Sequence, residues 1–227
     1  MKQKFTILFD LDGTLVDTAP DLMLAHNHVM KKFGYPTKST EDIRNLVGKG
    51  AGALIGRSIW GQAKKEFSKV LDAKIKDEMV KEFVNFYGKN IVNESTLVTG
   101  VKDFLIWCKE QNISMAVCTN KQEHLSNDLL KKIGIYDFFE YVAGSDTFDY
   151  CKPDPRHLTN VVEILDGDVK KTIMIGDSET DANAGKAAEV PVILLENGYT
   201  EKNTNEIYHN HLIKDFTGIE KIIKKYL

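Results

Sequence analysis

Apolar positions along this chain fall into two patterns. Four short runs rich in β-branched residues, Phe5 to Phe9, Ile113 to Cys118, Thr172 to Ile175 and Val192 to Leu195, are apolar almost without interruption. Unbroken rather than alternating apolarity predicts strands covered on both faces, as in a parallel sheet between layers of helices. Helical patterns separate the runs: Val101 to Glu110 precedes the second, Lys121 to Ile133 follows it, and Asp181 to Ala188 follows the third. This alternation predicts a doubly wound α/β fold.

From about Thr18 to Asn90 the pattern is helical, with no convincing strand. Leu22, Ala25, Val29 and Phe33 recur at helical spacing behind Thr18, whose Thr-x-x-Asp arrangement with Asp21 has the form of a capping box, and Gly34 stops the helix. Two further helices are expected, Glu41 to Leu46 and Ala63 to Tyr87. The stretch therefore reads as an all-helical insertion after the first strand, with linkers near Val16 to Thr18 and Ile91 to Thr96. The expected organisation is a sheet-based core of residues 1–17 and 92–227 and a small helical cap of residues 18–91. In the last expected helix, Ile219 to Leu227, Ile222, Ile223 and Tyr226 lie opposite the lysines, which suits docking on the core better than a membrane surface.

Composition narrows the classes. The 227 residues are 42% hydrophobic and 28% charged, which excludes disordered and collagen-like chains. Lys plus Arg number 30 against 33 Asp plus Glu, a net charge of −3, so no basic excess supports a general nucleic-acid or membrane binder. Only Arg44, Arg57 and Arg156 are arginines. Cys108, Cys118 and Cys151 are odd in number and form no Cys-x-x-Cys pair, arguing against a disulfide framework or structural zinc and for a reducing cytoplasm. Phe5 to Phe9 is too short for a signal-peptide core, and no apolar run approaches the ~20 residues that span a bilayer.

Four segments lie at the C-terminal ends of expected strands, the edge where open α/β sheets bind ligands. In Asp10-Leu11-Asp12-Gly13-Thr14, two acids follow a strongly apolar strand; unless they only cap the loop, burial demands a compensating cation. In Cys118-Thr119-Asn120-Lys121, a hydroxyl, an amide and a helix N-terminus suit an anion, although Thr-Asn is also a common helix start. In Cys151-Lys152-Pro153-Asp154-Pro155, two prolines stiffen a loop around one lysine, a fixed counter-charge for phosphate or carboxylate. Gly176-Asp177-Ser178-Glu179-Thr180-Asp181 brings a second acidic cluster to the same edge. Hard oxygen donors without a His or Cys cluster point to Mg²⁺ rather than zinc.

These motifs resemble those of the haloacid dehalogenase superfamily. Asp10 to Thr18 is similar to its Asp-x-Asp-Gly-Thr signature, and Thr119, Lys152 and Gly176-Asp177 to Asp181 match its other three motifs in order. The resemblance covers nearly the whole chain and implies a Rossmann-like core with a mobile cap, acting mostly in phosphoryl transfer. Asp12-Gly13-Thr14-Leu15-Val16-Asp17, Leu46 to Ala51 and Cys151 to Pro155 most resemble the phosphoglycolate phosphatase branch; pyrophosphatases, nucleotidases and sugar-phosphate phosphatases share much of the pattern.

The resemblance and the chemistry together imply roles. Asp10 is the expected nucleophile, forming an aspartyl-phosphate, and Asp12 the general acid and then base. Mg²⁺ is expected on Asp10, the Asp12 backbone carbonyl and Asp177, with Asp181 orienting its shell. Thr119, Asn120 and Lys152 are expected to hold the phosphoryl oxygens. Arg44, Lys49 and the Gly48-Lys49-Gly50 turn are candidates for the other end of the substrate, if those glycines do not merely end a helix. The expected partner is a small phosphate ester, and the protein is expected to be a cytoplasmic monomer or homodimer.

Other readings compete less well. A receiver-type phosphoacceptor shares acids, Mg²⁺, Thr and Lys, but Asp12 and the insertion favour turnover; Asp12 also disfavours a dehalogenase, while a sugar-phosphate phosphomutase stays open. His26 and His28 should face different sides of a helix, His209 to His211 should be a solvated loop, and Cys118, Trp60, Trp107, Phe83 and Phe86 should be packing.

Overall fold

A computed structural model describes residues 4–60 and 69–227. Its centre is a six-stranded parallel sheet in the order β5-β4-β1-β6-β7-β8. The strands are β1 (Thr6–Phe9), β4 (Ser114–Cys118), β5 (Tyr141–Ala143), β6 (Thr172–Gly176), β7 (Val192–Leu195) and β8 (His211–Ile213). β1 is central, with Phe9 opposite Val117 on one side and Ile175 on the other. Every residue of β1, β4, β6 and β7 is buried, which explains their unbroken apolarity. β5 and β8 are three-residue edge strands, and their shortness hid them from the sequence pattern. His211 thus belongs to a strand, not a solvated loop, and its Nε2 is 2.9 Å from the Tyr226 hydroxyl.

Five further helices accompany the sheet strands: α5 (Val101–Glu110), α6 (Glu123–Ile133), α7 (Arg156–Ile164), α8 (Glu179–Ala187) and α9 (Glu220–Ile223). α9 is shorter than the expected terminal helix, because turns replace the helical pattern after Ile223. α7 begins behind Pro155, where a fixed φ suits a helix start, and buries His157, Leu158, Val161 and Val162.

A two-stranded antiparallel ribbon, β2 (Val16–Asp17) with β3 (Thr96–Leu97), brackets the helical stretch at both ends. Between them lie α1 (Ala19–Phe33), α2 (Thr40–Arg44), α3 (Ala51–Trp60) and α4 (Lys69–Lys89). The N-terminal part of the expected Ala63 to Tyr87 helix lies outside the described residues, as does the Trp60 side chain. α3 was not expected: Gly52 and Gly56 lower its helix propensity, while burial of Leu54, Ile55 and Ile59 favours it. Apolar packing is continuous from Ile7 and Phe9 of the sheet to Met79 and Phe83 of α4.

The capping box expected at Thr18 does not form. Thr18 makes no side-chain cap bond, and its hydroxyl instead donates to Asp12 Oδ1 at 2.7 Å. Asp21 is buried and accepts from the backbone N–H groups of Asn93, Glu94 and Ser95 and from the Ser95 hydroxyl. A carboxylate with so many donors is stable without water, and here it ties the second linker to the first turn of α1. The tertiary demand of that linker outweighs the local cap.

Candidate active site

The ends of β1, β4 and β6 and the loop before α7 converge at one edge of the sheet. β1 ends in Asp10, whose N–H continues the ladder to Ile175 O at 2.9 Å. The chain then turns tightly, with Leu15 and Val16 N–H both bonding to Leu11 O. Gly13 makes that turn with φ of 85°, and a Cβ there would lie 2.2 Å from Asp177 Oδ2. Glycine is required both by the left-handed backbone and by the approach of the second acidic cluster.

Asp10, Asp177 and Asp181 are buried, and each offers a carboxylate oxygen within 4.8 Å of the others. Lys152 is the cation among them: its Nζ is 2.9 Å from Asp10 Oδ1 and 2.5 Å from Asp181 Oδ1. Three acids against one ammonium leave an excess of negative charge in a desolvated place. Burial is the main reason the Asp10 carboxyl is raised to about 6; Lys152 opposes the shift and Asp181 adds to it. Asp177 is raised well above the ordinary range, first by burial and then by Asp10 and Asp181. Lys152 is held firmly protonated, because the attraction of Asp10 and Asp181 exceeds the opposing effect of its burial.

The oxygens differ in what already occupies them. Asp181 Oδ2 accepts from the N–H groups of Asp177 and Ser178 and from the Ser178 hydroxyl, as the reciprocal cap of α8, while its Oδ1 takes Lys152. Among the described residues, Asp177 accepts only from the Thr14 hydroxyl at 3.1 Å and from Tyr199 N–H at 2.6 Å. Asp10 Oδ1 is buried and, although Lys152 is close, has no hydrogen bond of good direction among the described residues. Hard, underused oxygens on Asp10 and Asp177 around uncompensated negative charge fit a small divalent cation.

Asp12 stands outside this cluster. Its carboxylate takes Lys121 Nζ on both oxygens, at 2.8 and 3.0 Å, besides Thr18. Lys121 also donates to the hydroxyl of Tyr87 in α4, at 2.9 Å. The sequence gives neither partner a role of its own: Lys121 sits in the Thr119-Asn120-Lys121 segment, which carries a signal, but Tyr87 belongs to an apolar helical pattern that shows no chemistry.

Thr119 follows β4 and is buried, with its N–H on Ala143 O at 2.9 Å and its hydroxyl accepting from Lys121 N–H at 3.2 Å. Asn120 gives its amide hydrogens to Lys152 O and Gly48 O, at 2.9 and 3.1 Å, so its side chain links the lysine loop to the turn before α3. Thr180 reaches the same Gly48 carbonyl at 3.3 Å.

A cavity of about 280 Å³ opens above these residues. Asp10, Asp12, Thr119 and Asn120 line its sheet side, and Lys49 with the Gly48 turn lines the opposite side along with Leu54, Phe83 and Tyr87. Phe83 is therefore wall as well as packing. Arg44 is not among the lining residues: its guanidinium bonds Asp17 at 2.7 Å and lies 5.4 Å from the Tyr199 ring centroid. Arg44 thus stands away from this cavity, paired with Asp17 of the ribbon.

The remaining candidates are structural. His26 faces inward to the Ser58 hydroxyl, whereas His28 stacks on Phe86 and bonds Glu82. Burial pushes the Cys118 thiol up to about 12, so it is a core group and not a thiolate nucleophile. Trp107 stacks on Phe104.

Comparison with known proteins agrees with this geometry. The family described as haloacid dehalogenase-like hydrolase matches residues 7–195. The phosphoglycolate phosphatase of Mesorhizobium japonicum is 36% identical over 94% of this chain and 92% of its own length, and that of Caulobacter vibrioides is 38% identical over 95% and 89%. The crystal structure of a predicted phosphoglycolate phosphatase from Haemophilus somnus superposes with a TM-score of 0.89 at 30% identity, covering 98% of this chain and 99% of that one. By family match, by near full-length relatives and by fold, the chain belongs to the haloacid dehalogenase-like hydrolases.

Proposed function

We propose that this hydrolase removes the phosphoryl group from 2-phosphoglycolate, releasing glycolate and phosphate through an aspartyl-phosphate on Asp10. The observation that carries this reading is the placement of Asp10: a buried carboxylate, held by Lys152, on the floor of a cavity that Asp12 and Thr119 also line. The relatives named phosphoglycolate phosphatase supply the substrate, and the Lys49 side of the cavity supplies a cation for its carboxylate.

Asp10 attacks phosphorus in line, so that the ester oxygen leaves as the Asp10–phosphorus bond forms. Asp12 gives a proton to that oxygen and then takes one from the water that splits the acyl phosphate. Thr119 and Lys152 hold the equatorial oxygens, and Asn120 fixes the loops that carry them. Asp10, the Asp12 backbone carbonyl and Asp177 would hold Mg²⁺, which when bound screens the carboxylate from the phosphate; Asp181 positions Lys152 and the Asp177 loop. Helices α1 to α4 form the cap, residues 18–91, over the core of residues 1–17 and 92–227, and the protein works in the cytoplasm.

The test is phosphate release from a panel of 2-phosphoglycolate, pyrophosphate, nucleoside monophosphates and sugar phosphates, with Mg²⁺ and after chelation. The highest kcat/KM is expected for 2-phosphoglycolate, and chelation should abolish it. A cavity of this volume has room for larger esters, so a better sugar phosphate would reassign the substrate and leave the chemistry of Asp10 standing.

A further inference from the structure

Lys121 is the second lysine of the site and differs from Lys152 in what its charge is spent on. An ammonium has three hydrogens to donate. At Lys121 two go to the oxygens of Asp12 and the third to Tyr87 Oη. No hydrogen is left for a phosphate oxygen. The side chain is 5% exposed, the Asp12 side chain 13%, and the ammonium also lies 4.4 Å from the centroid of the Tyr87 ring. Tyr87 is 1% exposed and sits near the C-terminal end of α4, whereas Lys121 is in the loop after β4.

A carboxylate on a short side chain turns freely about its last bonds unless both oxygens are engaged. Thr18 holds one oxygen of Asp12 from the ribbon side, and Lys121 holds both from the β4 side. Tyr87 in turn holds Lys121, and it does so from the helical cap. Asp12 is thereby oriented by one group at the junction of β2 and α1 and one that depends on α4. Resting on the phosphatase reading above, we infer that Lys121 is a positioning residue: it orients the Asp12 carboxylate for proton transfer, and it does so fully only while Tyr87 of α4 is seated against it. Proton transfer is then available when the cap covers the cavity and impaired when α4 withdraws, which keeps the acid–base group matched to an enclosed substrate.

The arrangement makes separable predictions. In Lys121→Met, kcat falls by about a hundredfold while KM and the inhibition constant of inorganic phosphate stay within about threefold, since no phosphate contact is lost. In Tyr87→Phe, which keeps the ring and removes only the hydroxyl, kcat falls about three- to tenfold in the same manner. Lys121→Arg, which keeps the charge and can still bridge a carboxylate, recovers part of the loss. The effects of Lys121→Met and Tyr87→Phe do not multiply when combined, and Lys121→Met adds little in an Asp12→Asn background, because each acts through the next.

The experiment measures kcat, KM and phosphate inhibition for wild type and these variants, on 2-phosphoglycolate and on p-nitrophenyl phosphate, with thermal unfolding to identify any variant that does not fold. If Lys121→Met does not fold, the comparison rests on Tyr87→Phe and Lys121→Arg. Wild-type turnover of the aryl ester alone would reject 2-phosphoglycolate as substrate, and the variants are then compared on the aryl ester. A tenfold or larger rise in the phosphate inhibition constant in Lys121→Met would make Lys121 a phosphate ligand and overturn the inference. Multiplying effects of Tyr87→Phe and Lys121→Met, or unchanged kcat in Tyr87→Phe, would overturn its cap-dependent part.

Discussion

The two walls of the cavity are built on opposite terms. On the sheet side Asp10 lines the cavity with Asp177, Asp181 and Lys152 behind it, all four charged, buried and bound to one another or to backbone amides at strand ends. On the cap side, Leu54, Phe83 and Val84 are apolar groups of packed helices, and Lys49 with the Gly48 turn supplies the polar contacts. The first wall has a chemistry and almost no freedom; the second has a shape and little chemistry. Phosphoryl transfer should therefore depend steeply on single atoms of the sheet edge, and substrate choice should depend gradually on the volume and charge of the cap wall.

Substitutions can test that asymmetry. The largest effect is expected for Asp10→Asn: an amide is a poor nucleophile, and steady-state phosphate release should fall by at least about 10⁴-fold. Lys152→Met comes next, with kcat down about 10³-fold. It also leaves Asp10 and Asp181 buried without their cation, so thermal unfolding should show about 3 kcal/mol of lost stability in the absence of added metal. Added Mg²⁺ should restore more stability to this variant than to wild type. Equal responses would mean that the carboxylates do not bind the ion together.

A third effect is one of pH. His157 is buried behind the Lys152 loop, accepts Lys152 N–H at 3.3 Å, and is lowered to about 4, by burial first and by the Lys152 charge second. The unfolded chain takes up a proton below about pH 6.5 and the folded chain does not until about pH 4. Stability contributed by neutral His157 is thus complete above pH 6.5 and lost as the pH falls through that window, by about 3 kcal/mol. The raised carboxyl of Asp10 works in the opposite sense, because acid relieves its burial. The difference between wild type and His157→Gln in unfolding free energy, followed from pH 7.5 to 4, isolates the histidine, and a difference independent of pH would contradict its assignment.

The smallest effect should come from the cap wall. Lys49→Ala is expected to raise KM for 2-phosphoglycolate about tenfold and to change kcat less than about threefold, since its contact is made equally in ground and transition states. An unchanged KM would remove Lys49 from the substrate's carboxylate end.

The same contrast governs how much could be read from the residues in order. Each member of the sheet edge announces itself: an acid after an apolar strand at Asp10 and Asp177, a lysine directly ahead of Pro153 and Pro155 at Lys152. Their meeting requires only that parallel strands end together, which unbroken apolarity already implies. The cap partners have no such signature. Tyr87 looks like one more aromatic in a helix, and Arg44 looks like a free cation until Asp17 of the ribbon is brought beside it. Likewise Thr18 and Asp21 have the spacing of a cap, yet they serve Asp12 and residues 93–95, contacts made only after the chain has folded back. Short edge strands and the glycine-containing α3 are missed for a related reason, since neighbours rather than local propensity hold them.

The most direct test of the central claim is rapid acid quench, on wild type with ³²P-labelled 2-phosphoglycolate, and on wild type and Asp12→Asn with ³²P-labelled p-nitrophenyl phosphate, whose leaving group needs no proton so that only the second step is slowed, followed by mapping of the labelled peptide. Acid-stable, base-labile label on the peptide containing Asp10, greater in Asp12→Asn than in wild type, is the predicted result. Label on a different residue, or phosphate release with no labelled Asp10 in either protein, would contradict it.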